Sequence, residues 1–277
     1  MLKRVLVGAT LLAVVVSCGW YDLSRSGEPG WALAGLGAAL FITALWELLA
    51  MTQAKRSRRV LGMVAGTAWL ALLITGTLRP WTAWQRVADL LTWASVVTGL
   101  LIGGQVRAGP GPTSHRLSQS LWFSVPYVGG LACLVALALA GHAGWAVGVA
   151  LCAKSSDIGA YFAGKTWGRR KLAPLVSPNK TVEGAVGGVV LSAAVGAWLL
   201  PAVGGLPLPG GVWGAAAHGA VVALLAMLSD LTESLIKRSR DVKDSGTWFG
   251  ESGGALDLAD SLLLVGPCAL AYTAVLA

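Results

Sequence analysis

Apolar runs long enough to cross a bilayer recur from one end of the chain to the other, and nothing else constrains its fold as strongly. A membrane-spanning helix needs about 20 mostly apolar residues. Runs near that length lie at 5–20, 31–51, 60–78, 87–104, 121–140, 144–163, 183–200, 212–229 and 256–276. Each must be helical, because hydrocarbon offers no partner to an unpaired backbone amide. The expected fold is therefore all-α, a polytopic integral membrane protein with about nine transmembrane helices. Charged residues make up 12% of the 277 and apolar residues 55%, against ~25% charged in a soluble domain. That balance excludes a disordered chain, a disulfide scaffold and a free-standing nucleic-acid binder.

The basic residues sort by loop. Lys3, Arg4, Lys55, Arg56, Arg58, Arg59, Arg107 and Arg116 fall on one side of the expected membrane. So do Lys165, Arg169, Arg170, Lys171, Lys180, Lys237, Arg238, Arg240 and Lys243, whereas only Arg25, Arg79 and Arg86 fall on the other. Such bias marks the cytoplasmic face, so the N-terminus and the basic loops are expected in the cytoplasm and the C-terminus outside. The net charge of +8 then needs no nucleic-acid partner. Lys3 and Arg4 before an apolar run, with Val15-Val16-Ser17-Cys18, resemble a signal segment. Eight further spans favour an uncleaved first helix. The four cysteines sit in apolar stretches without metal-type spacing. Trp20, Trp31, Trp81, Trp84, Trp122, Trp145 and Trp213 stand near expected span ends and read as interfacial anchors.

Chemistry gathers in the second half, so residues 1–140 are expected to be plain helices and residues 141–277 the catalytic part. In the first half Glu47 and Asp89 read as solvated or paired charges near span ends. In the second, Asp157, Asp230, Asp257 and Asp260 all fall at the cytoplasmic ends of spans. An ionisable residue within a helix centre costs about 2.5–3.5 kcal/mol, so such acids call for a cationic partner. Asp257 and Asp260 are three apart and share a helical face, and Asp230 and Glu233 repeat the spacing. Convergent carboxylates at a water-accessible depth suit Mg²⁺, which keeps several waters and binds substrate phosphates. The neighbouring stretches 164–184 and 234–246, read as loops, mix Lys and Arg with Ser, Thr and Gly. Such a mixture suits polyphosphate, Lys and Arg holding oxygens while glycines let backbone amides approach.

Three ordered motifs resemble the phosphatidate cytidylyltransferase (CDP-diacylglycerol synthase) family of membrane enzymes. Asp157, Ala160, Tyr161, Gly164 and Gly168 match its Asp-x-x-Ala-Tyr-x-x-Gly-x-x-x-Gly element. Ser177-Pro178-Asn179-Lys180-Thr181-Val182-Glu183-Gly184, running to Gly187-Gly188, is similar to its Ser-Pro-x-Lys-Thr-x-Glu-Gly-x-x-Gly-Gly. The third runs from Ser229-Asp230 through Lys237-Arg238 and Lys243-Asp244-Ser245-Gly246 to Asp257-Leu258-Ala259-Asp260-Ser261. Here the chain departs from the family: Gly250-Glu251-Ser252-Gly253-Gly254 stands for Pro-Gly-His-Gly-Gly, Leu258 for an Arg, and Ser229 for a Gly.

The resemblance implies CMP transfer from CTP to phosphatidate, leaving CDP-diacylglycerol in the membrane and releasing pyrophosphate. It implies Asp230, Asp257 and Asp260 as ligands of Mg²⁺, with a second cation allowed, and Lys180, Lys237, Arg238 and Lys243 on the phosphates. Lys154, Asp157, Ser177, Thr181, Glu183, Glu233 and Ser234 become nucleotide or supporting contacts. The expected partners are CTP, phosphatidate or a similar lipid phosphate, membrane lipids and, compatibly, a second copy in a homodimer. The expected location is a bacterial plasma membrane. Three readings stay open beside it: a CTP-dependent enzyme of another lipid phosphate or a lipid kinase, a homologue that binds nucleotide without turnover, and a transporter. A transporter's proton-relay acids would spread across the membrane's depth, and no inverted repeat relates the halves.

Overall fold

A computed structural model of the chain describes residues 17–24, 28–51, 56–78, 121–248 and 253–276, with Val14, Asp89, 91–95, 97–98, Leu101, 105–107 and 109–112. The architecture is helical: α1 (Trp31–Met51), α2 (Arg56–Leu78), α3 (Leu121–Leu137), α4 (Ala143–Trp167), α5 (Val182–Val203), α6 (Gly211–Arg238), α7 (Ala255–Ala259) and α8 (Val265–Leu276). Among the described residues, five helical runs are long and apolar enough to cross a membrane, or six if the bent pair Ala255–Leu262 and Val265–Thr273 is one span. The expected nine reduce to this for identifiable reasons. The run at 5–20 lies mostly outside the described residues, as does much of that at 87–104. Those at 121–140 and 144–163 form one 44-residue helical stretch, Ser124–Trp167, which at 1.5 Å per residue would measure about 66 Å. Gly141 breaks it with a left-handed backbone (φ 82°, ψ 6°) inside a π turn, Ala138–His142.

The last expected span is bent by 44°. Helix α7 ends after five residues, a 3₁₀ turn (Asp260–Leu262) follows, and α8 resumes at Val265. Asp257 and Asp260 therefore leave the backbone from different turns rather than one straight face.

The second half of the chain is built on three helices packed through small residues. A Cβ on Gly159 of α4 would stand 2.6 Å from the Gly187 carbonyl of α5, and one on Gly219 of α6 would stand 2.3 Å from that of Ser192. Ser192 donates its hydroxyl across the second seam to Gly219 O at 2.7 Å. Small residues let backbones approach and substitute van der Waals contact for the hydrophobic force that lipid cannot supply. Trp145, read as an interfacial anchor, is instead fully buried and donates to Ala269 O at 3.2 Å; Trp20, Trp31 and Trp213 are exposed. Trp81 and Trp84 lie outside the described residues.

The stretch read as a loop over 164–184 is mostly structured. Helix α4 continues to Trp167, and an antiparallel hairpin pairs β1 (Lys171–Ala173) with β2 (Ser177–Thr181). Thr181 caps α5 by accepting from Gly184 N at 3.1 Å. The Glu183 carboxylate accepts from the main-chain N–H groups of Arg169 (3.0 Å) and Arg170 (3.1 Å). These bonds satisfy donors that a helix start and a sharp turn would otherwise strand.

Candidate active site

Helix α4, strand β2, helix α6 and the α7 turn bring their polar side chains to one cavity of about 660 Å³. Lys154, Asp157, Lys180, Thr181, Asp230, Asp257, Leu258 and Asp260 all line it. The order in the chain explains the meeting. Asp230 sits near the polar end of α6, which continues to Arg238, past the expected end at 229, so Glu233, Ser234 and Lys237 are helical rather than looped. Tyr127 of α3 donates to Ser229 O at 3.0 Å, and the Ser229 hydroxyl donates to Asp260 O. The backbones that carry Asp230 and Asp260 are thereby stitched together.

Three lysines divide the acids among them. Lys180 Nζ lies 2.5 Å from Asp230 Oδ2. Lys154 donates to Leu258 O (3.0 Å) and Asp260 Oδ1 (3.4 Å), and faces Asp157 Oδ2 at 3.6 Å. Its ammonium thus reaches the main chain at Leu258. Lys237 stands between Glu233 Oε2 and Asp257 Oδ1, at 2.6 Å from each. Glu233 is completely buried, and its Oε1 has no hydrogen-bond donor. Asp257 Oδ2 accepts from Ser245 N (2.7 Å), Ser245 Oγ (2.8 Å) and Gly254 N (2.8 Å). Gly253 holds φ 86°, and a Cβ there would stand 2.4 Å from that same oxygen. Among the described residues, no three acidic, His or Cys side chains form a ready-made metal cage.

Other expected site residues stand further back. Glu233 and Lys237 lie behind Asp257 and are absent from the cavity wall. Ser234 donates to Asp230 Oδ1 at 3.4 Å. Arg238 donates to Val242 O at 3.1 Å, closing the turn after α6. Glu183 holds the Arg169–Arg170 turn, Ser177 opens β2, and Lys243 is exposed in the turn beyond α6.

Sequence reasoning passed over Glu47. Of the two readings, solvated or paired, the second holds: it is 3% exposed and accepts from Ala255 N, Leu256 N and Ser245 Oγ, each at 2.9 Å. The available signal was an ionisable residue inside an apolar span, which by default marks a working site. Asp89 is exposed, consistent with a solvated charge.

The chain matches the model of the Cytidylyltransferase family over residues 2–276. It is 33% identical over 266 residues to the phosphatidate cytidylyltransferase of Pseudomonas aeruginosa, covering 95% of this chain and 93% of that one. The phosphatidate cytidylyltransferase of Brucella suis is 32% identical over 268 residues, covering 95% and 90%. That of Bacillus subtilis is 47% identical over 113 residues, 41% of each chain. With a family match along nearly its whole length and relatives aligned over nine-tenths of theirs, the chain belongs to the cytidylyltransferase family.

Proposed function

We propose that the protein is a phosphatidate cytidylyltransferase. It transfers CMP from CTP to phosphatidate, yielding CDP-diacylglycerol and pyrophosphate. A phosphate oxygen of the lipid attacks the α-phosphorus of CTP, and the bond to the β-phosphate oxygen breaks. The observation that carries this reading is the shared cavity, where Asp157, Asp230, Asp257 and Asp260 meet Lys154 and Lys180 in a chain of this family.

The reaction asks the protein mainly for alignment and charge neutralisation. Lys180 and Lys154 are placed to donate to phosphate oxygens, since both line the cavity on flexible stems. Thr181 fixes Lys180 by locking the end of β2 onto α5. Lys237 holds Asp257, and the Ser245 and Gly254 amides hold its other oxygen. Arg238 and Lys243 do not line the cavity and would meet phosphate only at its rim.

The donor set fits Mg²⁺. Four carboxylates line the cavity (Asp157, Asp230, Asp257, Asp260), and they are paired with only three lysines, one of which (Lys237) is shared with buried Glu233. A cage of three acids is not required, because Mg²⁺ is commonly bound by one or two carboxylates plus substrate phosphates. Asp230 and Asp260 would hold it from the cavity wall, with Asp257 beside them. Bound there, Mg²⁺ would neutralise the triphosphate and assist pyrophosphate departure.

The basic-residue bias supports nine crossings, a cytoplasmic N-terminus and a site at the cytosolic headgroup layer of a bacterial plasma membrane, where soluble CTP meets a lipid phosphate. Purified protein supplied with CTP, phosphatidate and Mg²⁺ is expected to release pyrophosphate. Asp260→Asn should lower turnover by at least about a hundredfold, the scale lost when one preorganised charge contact of a transition state is removed. Wild-type protein that binds CTP but turns over no lipid phosphate would overturn the reading.

A further inference from the structure

Glu47 lies in the half of the chain that carries none of the three motifs, yet it reaches the site across 198 residues of sequence. Its carboxylate accepts from the Ala255 and Leu256 amides, which open α7, and from the Ser245 hydroxyl. That hydroxyl lies between two carboxylates, 2.9 Å from Glu47 Oε2 and 2.8 Å from Asp257 Oδ2, and shares its one proton between them. The backbone is shaped around this group: a Cβ on Gly246 or Gly254 would stand 2.4 or 2.2 Å from a Glu47 oxygen. A buried carboxylate with donors converging from two separate segments determines how those segments sit.

We infer that Glu47 is a positioning residue of the transfer site: it fastens the Ser245 turn and the first turn of α7 to α1, and so fixes where Asp257 stands. The inference rests on the reading of Asp257 as part of that site. Glutamine at 47 would keep the shape but set an NH₂ donor against donors already there. Displacement of a reacting geometry by about 1 Å can lower a rate about a hundredfold, so small shifts at Asp257 suffice.

The test compares Glu47→Gln with Asp22→Asn in the purified full-length protein. Asp22 is a matched control: it is also buried, and it accepts from the Ala32 and Leu33 amides near the start of α1. The amides that Asp22 holds lie 14 and 15 helical residues before Glu47, roughly 22 Å away. Glu47→Gln is expected to speed amide hydrogen exchange at Ser245, Ala255 and Leu256. It should also lower kcat by about tenfold to a hundredfold and raise the Mg²⁺ concentration giving half-maximal activity, with KM for CTP little changed. Asp22→Asn should move none of these. The inference is overturned if Glu47→Gln leaves exchange at those amides unchanged, if exchange rises without a change in kcat and Mg²⁺ dependence, or if Asp22→Asn has the same effects. Should wild-type protein release no pyrophosphate, the functional reading fails, and exchange still decides whether Glu47 fastens α7.

Discussion

Lys237 meets two carboxylates at once, each at 2.6 Å, and one of them belongs to fully buried Glu233. Removing one partner of a buried ion pair strands the other charge, typically costing about 3–5 kcal/mol. Lys237→Met is therefore expected to lower stability in detergent by that amount, read from chemical unfolding. Adding Glu233→Gln should recover part of the loss; a double variant less stable than the single one would contradict the pairing. Lys180 differs because it lines the open cavity. A hydrogen bond to a charged group contributes about 1.5–3 kcal/mol, so Lys180→Met should reduce kcat/KM for CTP by about tenfold to a hundredfold while the unfolding transition moves little. A large fall in stability with unchanged kcat/KM would assign Lys180 a structural role instead.

The packing of α4, α5 and α6 decides whether these side chains can meet at all. Gly159 and Gly187 face each other where a Cβ would meet a carbonyl at 2.6 Å. Overpacking such a seam costs about 1–3 kcal/mol. Gly159→Val is expected to lower the unfolding midpoint and to reduce pyrophosphate release, because Asp157 lies two residues away on the same helix. Wild-type stability in that variant would mean that the helices do not touch there. These elements were unevenly legible in the sequence. Apolar length located α1, α2, α5 and the body of α6, because hydrocarbon imposes both length and helicity. It misjudged where α4 and α6 end, since both run on past their apolar stretch into residues whose side chains pair along the helix or across the cavity, such as Glu233 with Lys237. The β1–β2 hairpin was hidden for a similar reason. Glu183 and Thr181 hold it through main-chain donors rather than through any apolar alternation.

At the scale of the whole molecule, the motifs hold residues that share a cavity, Asp157, Lys180, Asp230, Asp257 and Asp260, whereas Glu233, Ser234, Lys237, Arg238 and Lys243, expected with them, do not line it. They were silent about Glu47, because a single acid within an apolar run carries no spacing, and its partners are main-chain amides far along the chain. Residues of the first half therefore meet the site through Glu47 and Tyr127, even though the motifs belong to the second alone. The charge bias predicts that the hairpin faces the cytoplasm. With the native cysteines replaced, a cysteine introduced at Asn179 should react with a membrane-impermeant thiol reagent in inverted vesicles and stay protected in intact cells. The reverse pattern would overturn the orientation.

Acids from α6 and the α7 turn are proposed to share a cation beside Lys154 and Lys180. Binding of Mn²⁺ in place of Mg²⁺, followed by the electron paramagnetic resonance of the free ion with CTP present, measures this without turnover. Wild-type protein is expected to bind the ion, and Asp230→Asn and Asp260→Asn each to weaken binding by about tenfold or more, in keeping with the roughly 1.5–3 kcal/mol carried by a contact to a charged group. Unchanged affinity in both variants would contradict it.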